Sequence, residues 1–249
     1  MVNERVFAWV DDALAPAVDA EQPLLVADSL LITDGTAIAP GKHFTRFTDS
    51  ANLLGVNVPD TFFVEAKKLI PKTGNWFPRF ELVSNSPAGL QLRVRESQVV
   101  HETATVATAP GDHRTSPFVK GPDLVSGADI RNDSGQDEAI ILSDEMVVEG
   151  VYSSLVWWKE DQMYRVSTSI PRLPSVTEQI IVETAKRLGA SIEEKTVTPA
   201  ELIGTEIWLL SALHGIRTVT AWVDGPELSC EPGRAEYWRT MRSLYKESL

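Results

Sequence analysis

Apolar and polar positions follow two different periods along this chain, and they divide it into recognisable elements. In "QPLLVADSLLITDGTAIAPGKHF", apolar runs flank Asp34-Gly35. Both residues of that pair tolerate positive φ, so the pattern predicts a tight hairpin. "FTRFTDSANLLGV" places Phe44, Phe47, Ala51 and Leu54 on one side of a helix. "TFFVEAKKLI" predicts a second helix, ended by Pro71. "WFPRFELVS", "LQLRVRES" and "TATVATA" read as strands.

The second half alternates more cleanly. "EAIILSD", "MVVEGVYSSLVWW" and "QMYRVS" read as strands. In the second of these, alternation puts Glu149, Val151 and Ser153 on one face. "SVTEQIIVETAKRLG" is the clearest helix: Ser175 and Glu178 fit a capping box, Val176, Ile180, Ile181 and Leu188 form a stripe, and Gly189 suits the left-handed C-terminal position. "TPAELIG" predicts a short helix, "EIWLLSAL" and "GIRTVTAWVDG" two strands, and "AEYWRTMRSLYKESL" a closing amphipathic helix with Trp238, Met241 and Tyr245 along one side. The stretch "TAPGDHRTSP", rich in Pro, Gly and polar residues, reads as a seam. The expectation is an α+β protein of two α/β domains: a smaller one over residues 1–108, a linker at 109–117 and a larger one over 118–249.

One segment of the second domain is unusual. "SPFVKGPDL" holds Lys120 between Pro117 and Pro122, which makes a stiff, non-helical piece of chain. The apolar pair Phe118-Val119 suggests that it dips into the protein.

Composition narrows the functions. The 249 residues are 43% hydrophobic, enough for a sizeable core, and carry a net charge of −12. That field repels phosphate backbones and anionic membrane surfaces, so neither nucleic acid nor membrane is an expected partner. A single cysteine, Cys230, excludes a disulfide framework and fits a cytoplasmic location. The N-terminal "MVNERVFAWVDDALAP" has no secretory pattern, and no apolar run approaches the ~20 residues of a span. His43, His101, His113 and His214 lack ligand spacing, so no metal is expected; His43 and His214 read as turn or helix-start residues.

Four segments suggest chemistry: "KHFTRF" with Arg46, "VKGPDL" with Lys120, "VVEGVYSSLVWW" with Glu149, and "PSVTEQ", followed later by "LLSALHGIR". Taken singly, each has a structural explanation: a surface lysine, an outward strand carboxylate, a helix cap. In order, HxxRF, the lysine after a linker, DEAIILSD, VEGxxSSLxWW, LPSVT and SALxGIRxV, the series resembles the class IV aminotransferase family, the fold-type IV enzymes of pyridoxal 5'-phosphate (PLP). That family includes branched-chain and D-amino-acid aminotransferases and 4-amino-4-deoxychorismate lyase. The likeness spans about Leu24 to Asp224.

The resemblance implies that PLP lies in the cleft between two domains. It implies that Lys120 forms a Schiff base with PLP, that Glu149 pairs with its pyridine nitrogen and that Arg46 binds its phosphate. It implies that Val176 and Thr177, at a helix start, and Ser211 and Ala212, in a turn, also hold the phosphate. A buried carboxylate on an apolar strand fits a cationic ring partner, and a helix N-terminus fits a phosphate. Arg79 is a candidate for a substrate carboxylate, or else a solvated residue of an edge strand. Ser153 is a candidate for the pocket wall.

The chain departs from the family pattern in places. No "DRGxxxGDG" segment precedes the hairpin, Asp28 stands at a glutamate-like position, Leu155 replaces an Asn, and Glu178 stands where members carry Arg. The Lys120–Glu149 spacing is short for the family, implying a trimmed helix after "KGPDL". The implied function is a PLP-dependent aminotransferase acting on an amino acid, as a homodimer. Elimination from an aminodeoxychorismate-like acid, and a catalytically degenerate PLP-binding homologue, are the alternatives.

Overall fold

The computed structural model describes residues 4–20, 22–84 and 89–249. The expected start of the first domain, at residue 1, lies outside the described residues. The chain forms two compact units. The first runs to Val99 and also takes in Val119–Pro122 and Tyr245–Leu249; the second holds Val100–Phe118 and Asp123–Leu244.

In the first unit the chain forms β1 (Arg5–Val10), β2 (Ala13–Ala17), β3 (Leu24–Ser29), β4 (Ile32–Thr33), β5 (Thr36–Ile38), α1 (Pro40–Leu53), α2 (Asp60–Leu69), β6 (Asn75–Trp76), β7 (Arg79–Val83) and β8 (Gly89–Val94). The main sheet is antiparallel in the order β2-β1-β8-β7-β3. Asp34 and Gly35 make the expected turn, with φ of 47° and 71°. The β1–β2 hairpin, which the hydrophobic pattern did not mark, turns on Asp11 and Asp12, at φ 48° and 59°. Aspartate tolerates that left-handed region better than most residues. Pro40 pre-sets φ at the first position of α1. Its buried stripe brings Phe47 against Phe62, Phe63 and Phe80 in edge and stacked contacts, which carry more than area burial alone. Leu54, expected on that stripe, caps the helix instead and is half exposed.

The second unit contains β9 (Thr103–Thr108), α3 (Leu124–Ser134), β10 (Glu138–Ser143), β11 (Met146–Gly150), β12 (Ser154–Lys159), β13 (Gln162–Val166), α4 (Val176–Leu188), β14 (Ile192–Lys195), a 3-10 turn (Pro199–Leu202), β15 (Glu206–Ser211), β16 (Gly215–Val223) and α5 (Arg234–Ser243). Its sheet is mixed, in the order β11-β10-β9-β16-β15-β12-β13-β14. Trp158, Trp208 and Trp238 pack together in one of its cores, with ring centroids 5.5–6.0 Å apart. The chain closes with β17 (Lys246–Ser248), which returns to the first unit and pairs with β5.

Five expectations change here. β9, assigned on sequence to the first domain, runs parallel to both β10 and β16 in the second unit's sheet. The seam at 109–117 accordingly lies within the second unit. The continuous strand expected over "MVVEGVYSSLVWW" is two strands, β11 and β12. The chain turns after Gly150, where a Cβ would lie 2.5 Å from Ser153 Oγ, so Glu149 and Ser153 do not share a strand face. The closing helix stops at Ser243, and Tyr245 O accepts from Ala39 N at 2.9 Å. Leu188, expected on the buried stripe of α4, is 43% exposed. No helix of the described residues is long and apolar enough to cross a membrane.

Candidate active site

Lys120 stands on a turn that docks on β3. Its carbonyl accepts from Ala27 N at 2.6 Å. Gly121, at φ 146°, lies so close to β3 that a Cβ there would be 2.9 Å from Val26 Cα. Only glycine fits both the backbone conformation and the space. β3 is the edge strand of its sheet, so the lysine segment covers backbone groups that would otherwise lack a neighbour. Val119 packs against the first unit's core, but Phe118, expected to dip inward with it, is 56% exposed.

Lys120 as a whole is half-buried. Burial lowers its pKa to about 8; Arg46, Arg95 and Arg79 add to that, and Asp28 opposes it. A lysine in this state is partly neutral near neutral pH and therefore nucleophilic.

Asp28 is fully buried and organises the groups beside it. It accepts from Arg46 Nε at 2.7 Å and Nη2 at 2.9 Å, and His43 Nδ1 lies 2.8 Å away. Burial disfavours the Asp28 carboxylate, but Arg46 and His43 outweigh it and hold the group well below the usual carboxylate range. His43, on the first turn of α1, is buried; burial pushes its pKa down and Asp28 restores part of that. No pattern in the sequence pairs this histidine with an acid. Arg79 lies on β7, which is interior to the sheet rather than at its edge. Its Nε and that of Arg93 both donate to Glu81 Oε1 at 2.7 Å. Arg95 lies over the Phe77 ring and donates to Phe77 O at 2.9 Å.

In the second unit, Glu149 is buried at the end of β11. Its Oε1 accepts from Arg114 Nη1 at 2.7 Å, and Arg114 also holds Asp112 and Pro171 O. Burial pushes Glu149 up to about 7 against the pull of Arg114 and Arg172. Its charge is thus incompletely compensated, and a further cation would favour the carboxylate. Arg114 went unnoticed in the sequence because it lies in the Pro- and Gly-rich seam. An arginine three residues before Pro117 was the one signal.

Val176 and Thr177 open α4 and are buried. Ser175 Oγ accepts from Glu178 N at 3.2 Å, but only half of the expected capping box forms. The Glu178 carboxylate instead takes Arg172 through Nη1 at 2.6 Å and Nη2 at 2.7 Å. The acid that stood at a prospective phosphate site is therefore neutralised, while the first-turn amides of α4 still have no partner within their own helix. Ser211 ends β15 and its hydroxyl accepts from His214 N at 3.2 Å; Ala212 follows in the turn. Ser153 donates to the buried Glu138 at 2.9 Å, and Arg217 approaches the same carboxylate at 3.4 Å. Its hydroxyl is thus engaged inside the second unit.

Residues 124–222 match the family model described as amino-transferase class IV. This segment is similar to class IV aminotransferases, and the fold is that of solved fold-type IV aminotransferases. A hypothetical aminotransferase from Mycobacterium tuberculosis shares the fold at a TM-score of 0.81 and 18% identity, over 97% of this chain and 98% of that one. A branched-chain aminotransferase from Thermoproteus uzoniensis also gives 0.81 and 18%, over 97% and 94%. A fold IV-transaminase from Curtobacterium pusillum gives 0.80 and 17%, over 97% and 98%. No curated protein matches in sequence. The class IV segment contains Glu149, Ser153, Val176, Thr177, Ser211 and Ala212; Lys120, Arg46 and Arg79 precede it.

The Arg46–Asp28 pair gives a first prediction. Arg46→Ala leaves Asp28 buried with His43 as its remaining close partner. Breaking a buried pair from one side costs about 3–5 kcal/mol, so denaturant unfolding should show a loss of that order. A change below about 0.5 kcal/mol, the scale of an ordinary surface substitution, would mean that the pair contributes nothing.

Proposed function

We propose that this protein is a PLP-dependent aminotransferase that moves an amino group from an amino acid to a 2-oxo acid, with Lys120 as its catalytic lysine. The observation that carries the proposal is the Lys120 amine, lowered to about 8 beside Arg46 and Asp28 on a fold-type IV framework. Similar structures support the cofactor and the substrate class. The M. tuberculosis protein was solved in a PLP-bound form and with alpha-ketoglutarate and PMP, and the T. uzoniensis enzyme with norvaline. Both are aminotransferases, which favours transamination over elimination.

The residues that would hold PLP are the Lys120 amine for the aldehyde, the Arg46 guanidinium, the start of α4 at Val176 and Thr177 and the Ser211–Ala212 turn for the phosphate, and Glu149, whose burial leaves its charge incompletely compensated, for the ring nitrogen. When bound, PLP supplies an electron sink for the substrate's α-carbon. Glu149 would hold a proton on the ring nitrogen, and Arg114 would keep Glu149 ionised and oriented. Lys120 would move the proton at the substrate's α-carbon. Arg79 and Ser153 remain candidates for the substrate side, and both would act through partners they already hold, Glu81 and Glu138. A homodimer belongs to the same proposal on the family likeness; sedimentation at a single chain mass would remove it.

The direct test is to load the protein with PLP and offer a panel of L- and D-amino acids with 2-oxoglutarate. New amino acid should form with one donor class. Bound PLP with no transfer from any donor, together with pyruvate release from aminodeoxychorismate, would replace transamination by elimination.

A further inference from the structure

Arg242 lies on α5 with a buried guanidinium. In the same unit, Arg114, Arg172, Arg234 and Arg239 each hold a carboxylate. Arg242 holds none among the described residues: its Nε is buried without a hydrogen-bond partner, and burial alone pushes its pKa down to about 10. A buried cation without an anion is costly, so such a group is usually completed by a partner.

The guanidinium has a defined seat. A Cβ on Gly215 would lie 2.9 Å from Arg242 Nη1 and 3.2 Å from its Cζ. Gly215 has φ 69°, so a side chain there would be strained as well as obstructed. Gly215 also pairs with Ser211 across the β15–β16 hairpin, and His214 N donates to Ser211 Oγ. The guanidinium therefore rests on the backbone of the Ser211–Gly215 turn, where glycine admits it. Its planar fork matches two oxygens of a phosphate.

We propose that Arg242 is an anion-binding residue that takes the phosphate monoester of the cofactor at the Ser211–Gly215 turn. This rests on the PLP reading above and adds to it a donor from the C-terminal helix that lies outside the class IV segment.

The test compares PLP with pyridoxal, which lacks the phosphate, by equilibrium titration of the full-length protein and of Arg242→Met. Methionine keeps an apolar stem against Gly215 and removes the charge. A charge-assisted contact of this kind corresponds to roughly 10- to 150-fold in affinity, so the variant should bind PLP that much more weakly and pyridoxal unchanged. Arg242→Lys should recover part of the loss. The cofactor-free Met variant should also unfold at the same or higher denaturant, because an unpaired buried charge has gone. Equal weakening for both ligands, or a loss of stability in the Met variant with PLP affinity unchanged, would make Arg242 a packing residue and overturn the proposal. If the wild type binds no PLP, the cofactor reading fails separately. Inorganic phosphate, followed by phosphorus NMR line width, then decides for Arg242: binding lost in the Met variant supports it, and identical behaviour overturns it.

Discussion

Lys120→Ala is expected to abolish covalent attachment of PLP while leaving the fold intact. The docking of this turn on β3 depends on the Lys120 carbonyl and on Gly121, not on the amine. Removing the side chain takes a cation away from Arg46, Arg95 and Arg79, so the fold loses a repulsive group. The direction with pH follows from the lowered pKa. The unfolded lysine titrates near 10.5 and the folded one near 8. Lys120 therefore favours folding most above 10.5, and that contribution is lost as pH falls through 8. The cofactor-free Ala variant should accordingly be the more stable protein below pH 8, with the difference closing as pH rises. Borohydride treatment of PLP-loaded wild type followed by peptide mapping should place the phosphopyridoxyl label on Lys120. A label on Lys42 or Lys159 would overturn the assignment.

Glu149→Gln should retain PLP and the covalent link to Lys120 but lose about a hundredfold or more of its turnover. Gln leaves the ring nitrogen without a carboxylate to hold its proton, so the bound cofactor withdraws electrons poorly from the substrate. A charge partner lost from a dry site corresponds to about 3–5 kcal/mol, and each 1.36 kcal/mol on a barrier is about tenfold in rate. Arg114 does not become an orphan in this variant, because Asp112 and Pro171 O still hold it. Single-turnover kinetics with an active amino donor measures the effect; wild-type turnover in the Gln variant would return Glu149 to an ordinary strand residue. A second readout needs no substrate. Glu149 is raised from 4.5 to about 7 in the fold, so its favourable contribution is present below 4.5 and is lost as pH rises through 7. Without cofactor, the Gln variant should gain stability relative to wild type across that window.

The local elements were largely decided by residues adjacent in sequence. Asp34-Gly35 specifies its turn through φ, the Phe44–Phe47–Ala51 spacing specifies α1, and Ser175 with Gly189 bounds α4. The stiff "PFVKGP" segment likewise follows from two prolines. Tertiary structure decided where these pieces go and which charges meet. β9 joins the second unit because its partners are β10 and β16, strands far along the chain, and no local pattern records such pairing. Position 150 takes glycine because Ser153 and Glu138 leave no room for a Cβ, a packing fact invisible in an alternating apolar run. Glu178 leaves its cap for Arg172, and Arg46 and His43 converge on Asp28, because buried charges take whichever opposite charge the fold brings within reach. The order of the motifs was enough to nominate Lys120, Glu149 and Arg46 as candidate site residues. The Arg114 clamp on Glu149 and the seat of Arg242 against Gly215 exist only once distant segments have packed together, since the neighbours that give each its meaning are supplied by the fold.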